Sequence, residues 1–317
     1  MNTAPIFIVG CPRSGTTLLR DLLRAHPRLT FPLESHFIPA FYRGYGHPRN
    51  AAEAVALAGR ILKLEWIENW QLPVTAAEFA DDRSFQAVLD RLYGAWAQRE
   101  NKARWGDKTP HYVREIPLLR ELYPDGRMIH LIRDGRDVAL SWLQARMEPR
   151  NLFEAAKRWQ RYVRAGRAGA GCLEVRYESL LGQTETTLRT ICEYIGEPFT
   201  PAVLERNALP RLLHQPWLGR PREAKLVGPR VEPGNVAKWK TAMSRAERAL
   251  FEGVAGELLQ ELGYEVEGGG RTPSAVEAWW WRTHHRAMWM AARLNRRGLS
   301  RSLRTEWELR QARRRGR

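Results

Sequence analysis

The densest cluster of residues that could do chemistry lies near the start of this 317-residue sequence. Gly10 and Gly15 bracket a short turn in which backbone N–H groups can converge on an anion. Ser14, Thr16 and Thr17 add hydroxyl donors at the end of this turn. A turn of this kind between an apolar run and an amphipathic segment is typical of a phosphate-binding loop, and we interpret it as one.

The loop differs from that of nucleoside triphosphatases at one decisive position. Their pattern, G-x-x-x-x-G-K-[ST], places a lysine on the β- and γ-phosphates, whereas Gly15 is followed here by Thr16. The cation lies instead inside the loop, at Arg13, whose planar guanidinium suits a tetrahedral oxyanion. This change argues against ATP or GTP as the group donor. An ordinary strand–turn–helix with an incidental arginine is the simpler alternative.

The run Pro-Arg-Ser-Gly-Thr-Thr at 12–17 resembles the 5′-phosphosulfate loop of sulfotransferases that use 3′-phosphoadenosine 5′-phosphosulfate (PAPS). The arginine form, followed by Leu-Leu-Arg and His26-Pro27, is similar above all to the tyrosylprotein sulfotransferases and their bacterial relatives. The resemblance covers roughly residues 5 to 265. It implies PAPS as co-substrate, with its 5′-phosphate bound by the loop residues Arg13, Ser14, Gly15, Thr16 and Thr17.

Glu34 lies about twenty residues beyond the loop, where a strand–helix–strand unit can return it to the same sheet edge. The resemblance implies that Glu34 is the general base for the acceptor hydroxyl. The family's Glu-Glu-Thr-Arg context is reduced here to Glu34, and His36 replaces the arginine. His36 and His111 are rival bases, and a solvated surface carboxylate is the structural alternative for Glu34.

The segment Trp-Gly-Asp-Lys-Thr-Pro at 105–110 is similar to a lysine-containing element of many sulfotransferases. The resemblance implies that Lys108 points its ammonium at the oxygens around the transferring sulfuryl group. A helix start offers a structural explanation of the same residues. Thr109 is a suitable N-cap and Pro110 a suitable first helical residue, so the cap would fix where Lys108 points.

The second motif follows an apolar run at 127–132. The resemblance implies that Arg133 and Ser141 bind the 3′-phosphate, and that Tyr177, in a Tyr-Glu-x-Leu element, lies near the adenine. The proline-rich stretch 208–235 is typical of a functional loop. Lys225 and Arg230 are its candidates for phosphate contact.

Alternating strand and helix patterns predict an α/β fold, with a P-loop-like doubly wound parallel sheet flanked by helices. Strands are predicted at 6–9, 127–132 and 172–176, and a short strand or strand-end loop is predicted within 28–39. Helices are predicted from 16, within 51–101, and at 110–123, 153–167, 184–195 and 244–262.

The composition fits an anionic ligand without identifying it. The chain has 51 basic and 35 acidic residues, a formal net charge of +16, which suits a polyanion, nucleic acid or an anionic membrane. Its three cysteines, Cys11, Cys172 and Cys192, show neither metal nor disulfide spacing. We therefore expect no metal. With the first strand beginning almost at once, no secretory signal is expected and a cytoplasmic location is predicted.

The composition changes at the glycine run 268–270, which we interpret as a hinge. The predicted organisation is a PAPS-dependent sulfotransferase domain at 1–267 and a basic, Trp/Arg-rich helical tail at 268–317. Residues near one face of the tail are Val276, Trp280, Ala287, Met290, Ala291 and Leu294, and beside them lie Arg282, Arg286, Arg293 and Arg297. Such a face suits peripheral contact with an anionic membrane, and packing of the tryptophans onto the domain is an equal alternative.

The sequence therefore predicts a sulfotransferase that moves a sulfuryl group from PAPS to an acceptor hydroxyl and releases 3′,5′-adenosine bisphosphate. Peptide tyrosine, glycan, lipid and small-molecule acceptors all stay open. The alternatives are a P-loop kinase-like phosphotransferase and a non-catalytic protein that binds nucleic acid or membrane. Nucleic acid is not the expected partner of the preferred function.

Overall fold

The computed structural model describes residues 3–145, 149–169, 171–204, 233–294 and 302–316, without the side chains of 291–294, 302–304 and 306. The strands are β1 Ile6–Gly10, β2 Leu29–Thr30, β3 Arg104–Lys108, β4 Arg127–Ile132 and β5 Leu173–Arg176. The helices of the first half are α1 Thr16–Arg24, α2 Ile38–Tyr45, α3 Ala51–Leu62, α4 Glu65–Glu68, α5 Phe85–Arg99, α6 Ile116–Leu122 and α7 Gly135–Gln144. Those of the second half are α8 Leu152–Ala168, α9 Tyr177–Gly182, α10 Thr184–Ile195, α11 Trp239–Ala242, α12 Arg245–Glu261, α13 Ala275–Leu294 and α14 Ser302–Arg315. Short 3₁₀ helices lie at Ala76–Phe79, Pro110–Arg114, Pro201–Leu204 and Pro233–Asn235.

The five strands form one parallel sheet in the order β2-β3-β1-β4-β5. The chain leaves β1 toward one edge, to β2 and β3, and then crosses β1 to form β4 and β5 on the other side. This arrangement confirms the predicted doubly wound sheet. The order reverses between β1 and β4, so the loops after these two strands border the crevice where such folds bind ligands.

The pleat of the central strands divides the core into two layers. Ile6 and Ile8 of β1 pack in one apolar cluster with α1, α9 and α10, while Phe7 and Val9 pack in a larger one with α5, α8 and α12. Successive side chains of a strand point to opposite faces. The short apolar strand β1 is therefore buried on both faces. This packing fixes the point at which the following loop begins.

Two local predictions were wrong. A single helix was predicted at 110–123, but a 3₁₀ helix Pro110–Arg114 and the short α6 take its place. Glu115 breaks the run with φ −121°, and Pro117 within the first turn of α6 cannot donate a hydrogen bond to the preceding turn. No strand was predicted at Arg104–Lys108, yet it forms β3, where Ile8 is paired with Lys108.

The tail is helical, as predicted, and both of its helices contact the domain. Asn151 Nδ2 donates to Trp281 O of α13 at 2.8 Å, and Glu65 N–H donates to Thr305 Oγ1 of α14 at 3.0 Å. Ala312 of α14 is fully buried. The boundary at 267/268 stays a prediction. Of the helices in the described ranges, none is long and apolar enough to cross a membrane.

Candidate active site

The loop between β1 and α1 forms a tight turn at the crevice. Ser14 N–H donates to Cys11 O at 3.1 Å, and Arg13 and Gly15 have left-handed backbone angles, with φ of 76° and 93°. At Arg13, a residue with a Cβ, this conformation costs on the order of 1–3 kcal/mol. Gly15 is the N-cap of α1 and provides no side-chain cap. The first N–H groups of α1 are thus available to an anion.

The residues around the loop fit the phosphate groups of PAPS. Ser14 Oγ is fully buried and has no hydrogen-bond partner within the described part of the chain. Arg133 Nε, on a side chain that is 7% exposed, is in the same situation. A buried donor without a partner costs about 1–3 kcal/mol, and the phosphate groups predicted to lie at Ser14 and at Arg133 would remove that cost by accepting from them.

Tyr177, at the start of α9, packs directly on the loop. A Cβ added at Gly15 would lie 2.3 Å from Tyr177 Cδ2, so only glycine leaves room for the ring. The guanidinium of Arg133 lies 4.4 Å from the centre of the same ring. Asn235 Nδ2 donates to the Tyr177 hydroxyl at 2.7 Å. The tyrosine therefore links the phosphate loop, the end of β4 and residue 235.

The two nucleotide motifs meet in space. Arg13 Nε donates to Ser141 Oγ of α7 at 3.0 Å, and Arg133 Nη1 donates to Arg13 O at 3.3 Å. Arg133 Nη2 also donates to Asn235 O at 2.7 Å. The helix α7 begins at Asp134, whose carboxylate accepts from Arg136 N–H as an N-cap. The residues predicted for the two phosphates thus form one continuous surface.

Glu34 and Lys108 form an ion pair beside the loop. Lys108 Nζ also donates to Thr17 Oγ1 at 3.2 Å, and His36 Nε2 lies 3.0 Å from Glu34 Oε2. His36 has φ 56°, a strained backbone for a histidine. A carboxylate, a buried ammonium and a loop hydroxyl therefore meet at one point, with the imidazole on the outer side.

Each charge of this pair shifts the pKa of the other group. Burial raises the pKa of Glu34, but the charge of Lys108 and the contacts of His36 outweigh burial and leave that pKa lowered. Burial lowers the pKa of Lys108, and the charge of Glu34 opposes this shift. Glu34 is consequently a carboxylate at neutral pH, the protonation state that a general base needs.

His111 is set further from the carboxylate. Its Nδ1 is hydrogen-bonded to the Tyr162 hydroxyl, and its ring centre is 6.2 Å from that of His36. Although His111 is exposed at the surface, desolvation of its imidazole and then the charge of His36 lower its pKa to about 4. At neutral pH His111 is therefore uncharged, and His36 lies between it and Glu34. Glu34 and His36 are consequently the groups best placed to take a proton.

Thr109 takes the predicted N-cap position of the 3₁₀ helix, but it makes no capping hydrogen bond. Its Oγ1 instead accepts from Ser35 N–H at 3.1 Å. Pro110 does open the 3₁₀ helix, as predicted. Lys108 is positioned by the pairing of β3 with β1, and the Ser35–Thr109 bond fixes the neighbouring Glu34 segment against the end of β3.

Some functional candidates were missed, and others cannot be placed. Asn235, which contacts both Arg133 and Tyr177, ends the proline-rich stretch, where only cations were predicted to contact phosphate. The predicted phosphate contacts Lys225 and Arg230 lie outside the described residues. Within the described ranges, no three His, Cys, Asp or Glu side chains are grouped as metal ligands.

The fold and the site define an α/β protein with an anion-binding crevice at the switch point of a doubly wound sheet. The protein-family model described as "Sulfotransferase family" matches residues 5–201, more than half of the sequence. The chain belongs to the sulfotransferase family and is an enzyme of sulfuryl transfer, which excludes the kinase and the non-catalytic alternatives.

The curated relatives resemble it at low identity. Protein-tyrosine sulfotransferase A of Caenorhabditis elegans is 24% identical over 283 residues, covering 83% of this chain and 68% of the relative. Protein-tyrosine sulfotransferase 1 of Danio rerio is 24% identical over 220 residues, covering 64% and 56%. The nodulation protein NoeE of Sinorhizobium fredii is 26% identical over 294 residues, covering 82% and 65%.

Two solved structures share the fold. The sulfotransferase domain from the curacin biosynthetic pathway has a TM-score of 0.60 at 22% identity, covering 84% of this chain and 99% of that one. The sulfotransferase domain of the Synechococcus PCC 7002 olefin synthase has a TM-score of 0.59 at 23% identity, covering 83% and 97%. The parallel sheet described above is thus the family's architecture.

Proposed function

We propose that this sulfotransferase uses PAPS as donor and an acceptor hydroxyl as recipient, with Glu34, Lys108 and Arg13 acting on the reacting groups. The observation that carries the proposal is the contact of Lys108 with both Glu34 and Thr17. It brings a carboxylate, a cation and the phosphate loop to one point of the crevice. In-line group transfer needs these three functions together.

The donor is assigned to the crevice between β1 and β4. Arg13, Ser14, Gly15, Thr16 and Thr17 hold the 5′-phosphate, and Arg133 and Ser141 hold the 3′-phosphate with Tyr177 near the base. PAPS supplies the sulfuryl group, and its S–O bond to the 5′-phosphate breaks as the new bond to the acceptor oxygen forms.

Glu34 accepts the proton that the acceptor hydroxyl gives up. Its lowered pKa keeps it ionised at neutral pH, and Lys108 offsets the added negative charge of the leaving phosphate at the same point. Arg13 provides a second cation from inside the loop. His36, in contact with Glu34, holds the carboxylate in place and is the first alternative base.

The test is a transfer assay with PAPS and four acceptor classes: a tyrosine peptide, a glycan, a hydroxylated lipid and a small phenol. We expect one class to gain a sulfuryl group by mass spectrometry, with release of 3′,5′-adenosine bisphosphate. Lys108→Ala should abolish transfer, whereas Lys63→Ala, far from the loop in sequence and at the end of α3, should not. Transfer from ATP-Mg in place of PAPS would contradict the proposal.

We also propose that α13 contacts an anionic membrane surface, because large apolar side chains on one face of this helix are exposed in the described part of the chain. Val276, Trp279, Trp280 and Met290 are 75%, 63%, 51% and 54% exposed, while the opposite side of the helix docks through Trp281 O. Arg282 and Arg286 of the predicted basic stripe are exposed, but the side chain of Arg293 and all of Arg297 lie outside the described residues. Tryptophan beside arginine suits the headgroup region.

Co-sedimentation with vesicles tests this second proposal. The double variant Trp279→Ser/Trp280→Ser should lose binding to vesicles of phosphatidylglycerol and phosphatidylcholine. Trp307→Ser on α14, which is 52% exposed, is the control and should bind normally. No binding of the wild type at low salt would contradict it. The cytoplasmic location stays a prediction, to be checked by cell fractionation.

A further inference from the structure

A pocket of about 450 Å³ opens next to the Glu34 cluster. His36, which contacts Glu34, and His111 lie in its lining. The other lining residues are Pro39, Ala40, Arg43, Tyr112, Arg114, Glu115, Arg313 and Gly316. A volume of this size is in the range that holds a small molecule. The pocket therefore borders the neighbour of the candidate base, although Glu34 itself is not one of its lining residues.

One wall of this pocket belongs to the tail. Arg313 and Gly316 come from α14 and the residue that follows it, beyond the residues 5–201 that match the family. The helix is docked closely: a Cβ added at Gly44 of α2 would lie 2.2 Å from Ala312 O. Arg60 Nη1 also forms an ion pair with Glu308 at 3.1 Å. The position of Arg313 is therefore set by packing.

The pocket carries an excess of positive charge. Arg43, Arg114 and Arg313 line it with a single carboxylate, that of Glu115. Glu115 is already paired with Arg43. The three arginines are all exposed toward solvent, so an incoming anion can reach them. Guanidinium groups bind carboxylate and phosphate through paired hydrogen bonds.

We propose that α14 completes the acceptor pocket and that Arg313, with Arg43 and Arg114, binds an anionic group of the acceptor. The acceptor is then a compact hydroxyl compound that carries a carboxylate or phosphate, with the hydroxyl at His36 and Glu34 and the anion at the arginines. This inference rests on the proposed function, since the pocket is assigned to the acceptor of sulfuryl transfer.

The test compares Arg313→Gln with Arg314→Gln, which changes a neighbouring exposed arginine outside the pocket lining. The matched probes are 4-hydroxyphenylacetate and its neutral amide, assayed with PAPS. The wild type should favour the anionic probe, and Arg313→Gln should reduce the KM preference for it by about two- to fivefold, as for a partly exposed ion pair. Arg314→Gln should keep the preference. A third probe, 4-hydroxybenzyl phosphate, shows whether the arginines prefer a phosphate or a carboxylate on the acceptor.

A second readout does not depend on turnover. In the presence of 3′,5′-adenosine bisphosphate, 4-hydroxyphenylacetate should raise the thermal midpoint of the wild type more than its amide does, and Arg313→Gln should remove the difference. If PAPS supports no transfer while this difference is present, the proposed function fails and the anion site stands. Equal responses to both probes in the wild type, or stronger competition by an acidic tyrosine peptide than by the compact anions, would overturn the inference.

Discussion

Arg13 Nε donates a 3.0 Å hydrogen bond to Ser141 Oγ, 128 positions further along the chain. The two residues were assigned to opposite phosphates of the donor, yet they touch, because the loops after β1 and β4 meet where the strand order reverses. The residues predicted for the two phosphates are therefore in contact, and we expect a change at Ser141 to alter the orientation of Arg13.

We expect Arg133→Gln and Ser141→Ala to weaken binding of 3′,5′-adenosine bisphosphate much more than that of 5′-AMP. Only the former has a 3′-phosphate to lose, and loss of a hydrogen bond to a charged group costs about tenfold or more. Isothermal calorimetry with both nucleotides measures the ratio. Arg189→Gln, an exposed arginine paired with Glu185 on α10, is the control. Equal weakening of both nucleotides would defeat the assignment of the 3′-phosphate site.

Glu34→Gln is expected to lower turnover by about two to four orders of magnitude, the usual cost of losing a general base. Nucleotide binding should not weaken, because the amide no longer neutralises Lys108, which then attracts the phosphates more strongly. Single-turnover kinetics and calorimetry separate the two effects. If Glu34→Gln retains wild-type turnover and His36→Gln lowers it, His36 is the base.

The pH dependence of kcat/KM is expected to show no acid limb near the ordinary histidine pKa of about 6.5. The lowered pKa of Glu34 keeps the base ionised well below that pH. The folded pKa of Glu34 lies below its unfolded value of about 4.3. The contribution of Glu34 to the free energy of unfolding is therefore complete above about pH 4.3 and is lost as the pH falls through the folded pKa. An acid limb near pH 6.5, at about the ordinary histidine value, would argue against Glu34 as the base.

Gly15→Ala is expected to disrupt the phosphate loop. The new Cβ would lie 2.3 Å from the Tyr177 ring, and φ 93° is unfavourable for alanine, so the free energy of unfolding should fall by about 1–3 kcal/mol with loss of nucleotide binding. Gly94→Ala is the control, since it lies within α5 with no atom within 4 Å of the added Cβ. It should gain about 0.5–1 kcal/mol. Chemical denaturation with and without nucleotide checks both.

Gly44→Leu is expected to displace α14 from α2, because even a Cβ at this position would overlap Ala312 O. The domain should stay folded while limited proteolysis cleaves the tail within 302–316 faster than in the wild type. Gly59→Ala, whose added Cβ would meet only Ala76 Cβ at 3.6 Å, is the control. Unchanged proteolysis of both variants would mean that α14 is not held at this point.

Local motifs were predicted best where one short segment contains all the parts. The strand, turn and helix of the phosphate loop are adjacent in the chain, from Ile6 to Arg24. Sequence patterns failed where the pairing of distant strands decided the secondary structure. Arg104–Lys108 has no strand-like composition, and it is a strand because Ile8 and its neighbours offer it a partner.

The sequence by itself determined the class of chemistry. An arginine inside a glycine-bracketed turn and a second arginine after another apolar run are local features whose residue types already point to an anionic donor. Only the tertiary structure decided which groups act together. Lys108 reaches Glu34 across 74 positions, and Arg313 of the tail lines the pocket that we propose for the acceptor. Contacts at such separations depend on strand order and helix docking, which no local pattern of residues encodes, because the free energy that selects them comes from burying distant surfaces against one another.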